Sequence, residues 1–197
     1  MKTLLSFCGL ATGLLWFGGS VLAQEAKRDY LPPNPVPGLA YTNEFFPGTA
    51  YRPEVPKQAR IIGFDTGERA ASPEEIEQCL KAWASAAGDR CKLIEYARSH
   101  ENRPLHYMVV TAPKNLARLA EIQAGLGKLA DPRKTTEAEA KELIDSLPAV
   151  AWLAYTIHGD ETEGSDAALA LLYHLLAARE VKVEKMLEAE LLHRRMA

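Results

Sequence analysis

Nine consecutive uncharged residues, AVAWLAYTI at positions 149–157, follow Pro148, and His158, Asp160, Glu161 and Glu163 arrive directly after them. An apolar, Ala/Leu-rich run then begins at Ala167. Nothing else in the sequence constrains the fold as much. A short, continuous apolar run with β-branched and aromatic residues, stopped by a proline, fits a strand buried on both faces, as in a parallel sheet. A strand of that kind needs a helical crossover, and 165–178 supplies a helix. In open sheets of this class ligands sit beyond the carboxyl ends of the strands, so the turn from His158 to Gly164 occupies the position of a site.

The elements upstream agree with an α/β fold. Ser72 as N-cap, Pro73 at the first helical position and Glu75 closing a capping box start a helix that leaves at Gly88. Two short strands follow, Lys92–Arg98 and Leu105–Thr111, joined by a polar turn. A helix is predicted over 115–129, and a second one is capped by Thr136 with Glu139 three residues on. Val181–Arg195 reads as a last helix. The basic cluster His193–Arg195 would then be a solvated helix end, which the helix dipole favours.

The ends of the chain read differently. Residues 1–23 form a signal peptide: Lys2, an apolar run from Leu4 to Phe17, then Val21 and Ala23 at the small-residue positions before cleavage. The run is too short for a membrane span of roughly 20 residues. The mature protein is therefore expected to be exported, periplasmic or secreted, with no span left. Residues 24–58 form an extended arm: seven prolines lie between Tyr30 and Gln58, and Tyr41, Phe45, Phe46 and Tyr51 suit it to lie on a surface. Residues 59–197 make the folded domain. Net charge is -3, and no Lys/Arg run is dense enough for nucleic acid. Cys8 leaves with the signal peptide. Cys79 and Cys91 remain, and a disulfide and two buried thiols are both open readings.

His158 and Glu161, three apart across Gly159, have the donors and the position to hold zinc. The spacing alone also fits a carboxylate cluster that merely complements a helix dipole, so both readings stand on the residues. His174 is rejected as a third ligand, because it lies roughly 15 Å down the following helix. His100 and His106 have no liganding partners at helpful spacing.

The segment IHGDETEGSDAALALLYHLL resembles the zinc carboxypeptidase family, the metallopeptidases built like the pancreatic carboxypeptidases. The upstream segments IIGFDTGERAASPEEI, LIEYARSHENRPLHYMVV and NLARLAEIQAGLGKLADPR are similar to exported bacterial members, and the resemblance spans about Gly63 to Leu176. It implies a partial carboxypeptidase-like mixed sheet flanked by helices. The implied activity is zinc-dependent hydrolysis that removes C-terminal residues from a peptide or protein. His158 and Glu161 would be the first two zinc ligands, and Asp160 would support them from beside or be a solvated turn residue. The family's third ligand, its substrate-binding arginine and its general base come farther downstream than Ala197, so the chain is expected to be a truncated or frameshifted product. That leaves two alternatives to an active carboxypeptidase. One is an inactive remnant or binding module working through the Pro-rich arm; the other is a zinc amide hydrolase of desuccinylase type. An unpaired sheet edge is expected to favour self-association.

Overall fold

The computed structural model describes residues 45–196. The expected signal peptide, residues 1–23, and residues 24–44 of the expected arm lie outside the described residues.

Helix α1 (Gln58–Ile62) ends at Gly63, where a φ of 87° needs a residue without Cβ. Helix α2 (Pro73–Ala86) starts as predicted. Ser72 Oγ accepts from the Glu75 amide, and the Ser72 amide donates to Glu75 Oε2 at 2.8 Å. It leaves at Ala87, whose amide still donates to Trp83, one residue before the predicted Gly88. The hairpin is present as β1 (Cys91–Arg98) and β2 (Pro104–Val110), antiparallel, with an irregularity between Glu95 and Ala97.

The helix predicted over 115–129 is two helices, α3 (Pro113–Leu116) and α4 (Leu119–Leu129), broken at Arg118. Asn115 explains the break. It is buried, and its Nδ2 donates to the carbonyl of Glu188 at 3.0 Å, which pins α3 while α4 turns to lay Leu119 and Ile122 on the sheet. Helix α5 (Glu137–Ser146) carries the predicted Thr136/Glu139 capping box. Strand β3 (Ala149–Tyr155) and helix α6 (Thr162–Ala177) follow, the helix starting three residues before the predicted Ser165.

The predicted helix Val181–Arg195 is corrected. Helix α7 (Val181–Ala189) stops, and Glu190–Met196 forms strand β4. Extended backbone there pairs on both edges, antiparallel to β2 and parallel to β3, which satisfies its amides and carbonyls between two strands. The cluster His193–Arg195 therefore lies in a strand rather than at a helix end. The result is an α/β fold with a mixed four-stranded sheet in the order β1-β2-β4-β3.

Helices cover both faces. On one face, Cys79, Leu80 and Trp83 of α2 pack with Met108 and Val110 of β2, Leu169, Leu172 and Leu176 of α6, and Leu187 of α7. On the other face, Leu119 and Ile122 of α4 pack on Val109. Trp83 is wholly buried, and its truncation to Ala would cost about 3–5 kcal/mol. Cys79 and Cys91 are free, buried thiols, and burial pushes the pKa of each up to about 12.

The reading of β3 as buried on both faces is wrong. Val150 is 42% exposed and Trp152 52%, because the face of β3 that carries them is only partly covered among the described residues. The described end of the arm does lie on a surface, as expected. Tyr51 bridges to Ala178, the Arg52 amide donates to the Ala177 carbonyl at 2.7 Å, and Trp83 Nε1 donates to the Pro56 carbonyl at 2.8 Å. Arg52 and the buried Arg90 both pair with Glu184 of α7, at 2.6 and 3.1 Å. No helix among the described residues is long and apolar enough to cross a membrane.

Candidate functional site

The chain must reverse from β3 into α6 within a few residues, and two positions make that reversal work. Thr156 takes a φ of 54°, a left-handed conformation that is costly for a β-branched residue. Its methyl packs where α6 presents Gly164, at which an added Cβ would lie 2.8 Å from Thr156 Cγ2. Neither position was singled out from the sequence. Gly164 in a first helical turn was the available signal, since glycine there has no propensity reason.

The turn folds around the Glu161 carboxylate. Glu161 Oε2 accepts from the amides of Ile157 at 3.2 Å and His158 at 3.4 Å. Glu161 Oε1 faces His158 Nδ1 at 3.0 Å. The hydrogen bond from the His158 ring, then those from the two amides, hold the carboxyl below the usual glutamate range. It therefore stays ionised at neutral pH, as a metal ligand must. Both side chains are open to solvent, 69% exposed for His158 and 45% for Glu161.

The structure thus brings together the two predicted ligands. At 3.0 Å the two are joined by a hydrogen bond through the Nδ1 proton, which zinc bound tetrahedrally between them would have to replace. The pair has the donors for two corners of that shell. A full catalytic set does not follow, because no group of three His, Cys, Asp or Glu side chains converges among the described residues. Asp160, the predicted supporting residue, is exposed and contacts neither ligand in a hydrogen bond. His174 is a packed residue, as expected. Its ring stacks on Phe46 at 3.7 Å and its Nδ1 lies 3.3 Å from the Tyr51 hydroxyl. His106 is buried under α2, on another part of the sheet.

A protein-family model described as zinc carboxypeptidase matches residues 76–190, more than half of the chain, from within α2 to the start of β4. No curated protein and no solved structure matches the chain.

Proposed function

Because the chain belongs to the zinc carboxypeptidase family, we propose that the β3–α6 turn is the zinc-binding half of a metallocarboxypeptidase site, with His158 and Glu161 as two of the ligands. The observation that carries this is the convergence of the two donors, 3.0 Å apart, on one turn at the carboxyl end of a strand. The substrate on this reading is a peptide or protein C-terminus. Zinc would supply an activated water and polarise the scissile carbonyl. What these residues themselves do is narrower. The Ile157 and His158 amides fix the carboxylate, the carboxylate orients the imidazole, and Thr156 with Gly164 sets the turn that aims both.

Two protein donors hold zinc weakly, and among the described residues no third His, Cys, Asp or Glu side chain joins the pair. The second reading, a chain with little or no peptidase activity that acts at most as a binding module, rests on that incomplete donor set. Export through cleavage after Ala23 belongs to the same proposal and is supported by the charge and apolar pattern of 1–23.

Calorimetry with zinc on the mature chain is the test. A single weak site is expected, lost in His158→Ala/Glu161→Ala. Wild-type heats equal to those of the double variant would remove His158 and Glu161 as ligands. Robust release of C-terminal residues by the purified chain, abolished in His158→Ala, would instead overturn the inactive reading.

A further inference from the structure

A cleft between the first half of α2 and the β1–β2 hairpin takes no part in the zinc reading. Its volume is about 240 Å³, below the roughly 300–1,000 Å³ of sites for drug-sized ligands, so it suits something smaller. Pro73, Ile76, Leu80 and Pro104 give it apolar walls, and Glu77 and His106 also line it.

His106 is the informative residue. It is only 7% exposed, on the face of β2 that carries Met108 and Val110, and its ring makes no hydrogen bond to a described residue. Its closest ionic neighbour, Glu77 Oε1, lies 3.9 Å from Nε2, beyond hydrogen-bond reach. A ring nitrogen without a protein partner still has a hydrogen bond to give or to accept. Here it faces a cleft that can supply a partner.

Charge selects the kind of partner. Lys81 Nζ already holds Glu77 Oε1 at 2.7 Å, and Arg103 lies 3.6 Å from Glu74, so no ion is left without a counter-ion. The adjoining N-terminal turn of α2 disfavours a cation as well. A neutral hydroxyl is donor and acceptor at once. It can accept from His106 Nε2–H and donate to Glu77 Oε1, since two hydrogen bonds of about 2.8 Å span 3.9 Å at close to a right angle. The apolar walls would hold the rest of the molecule.

The geometry points to a binding site in this cleft for a small neutral molecule with an apolar ring and one hydroxyl group, phenol being the simplest. The site is independent of His158 and Glu161.

The probe is phenol, titrated into the full chain while the His106 ring resonances are followed by NMR. Saturable one-to-one shifts of His106 are expected, with toluene weaker by about tenfold because it leaves the polar pair unmet. Glu77→Ala, its fold checked by circular dichroism, should weaken phenol by about tenfold through loss of the acceptor. Ile76→Trp should fill the cleft and abolish the shifts. No saturable shift of His106, toluene binding as tightly as phenol, or unchanged phenol binding in Glu77→Ala would each overturn the assignment.

Discussion

At the scale of single residues, the ligands and their support differ in how far the sequence reveals them. His158 and Glu161 are visible because their chemistry and spacing are local. Thr156 is not, since threonine by itself favours extended backbone and only the forced reversal into α6 imposes a φ of 54°. Such strain costs of order 1–3 kcal/mol and persists where packing over-determines it. Gly164 is part of that packing. Gly164→Ala would bring a methyl to 2.8 Å from Thr156 Cγ2 and 3.3 Å from its amide nitrogen, and is expected to destabilise by about 1–3 kcal/mol. Gly127→Ala, in α4 with nothing within 4 Å, should stabilise by about 0.5–1 kcal/mol. Urea unfolding of both variants checks the contrast, and equal effects would discount the Thr156 contact.

At the scale of elements, starts marked by a capping box were legible, and breaks and ends that depend on distant partners were not. Ser72 with Glu75 and Thr136 with Glu139 are reciprocal hydrogen bonds written within four residues of sequence, so both helices begin where predicted. The break after α3 depends on Asn115 reaching Glu188, and the end of α7 depends on two strands waiting to pair with 190–196; local pattern holds neither fact. The join between arm and α6 has a pH dependence that follows from His174. Burial lowers its pKa, with Glu180 opposing. The docked ring therefore resists the proton that a released ring accepts. Docking is at full strength above the ordinary histidine value of about 6.5 and weakens as pH falls below it. Melting temperature should drop between pH 7.5 and 5, and the drop should flatten in His174→Gln. A wild-type profile with the same slope as the variant would exclude His174 as the cause.

At the scale of the whole molecule, the class was readable from the uncharged run, its turn and the helix beyond. The burial of that run was not, because it depends on what lies across from it. Among the described residues β3 is the last strand of the sheet, uncharged, with Val150 and Trp152 half-exposed on one face, and such an edge is a template for another chain. Concentration-dependent association is expected by light scattering. Val150→Lys should reduce it without lowering the melting temperature much, and undiminished association would place the contact elsewhere. The arm carries a different consequence. Tyr51 contacts His174 across 123 positions of sequence, and Arg52 meets Glu184 across 132. At a synthesis rate of about 5–20 residues per second, the arm leaves the ribosome on the order of ten seconds before its partners are made. Tyr51 and Arg52 must stay uncommitted for that interval, so residues among the first of the described chain to be translated are among the last to be placed.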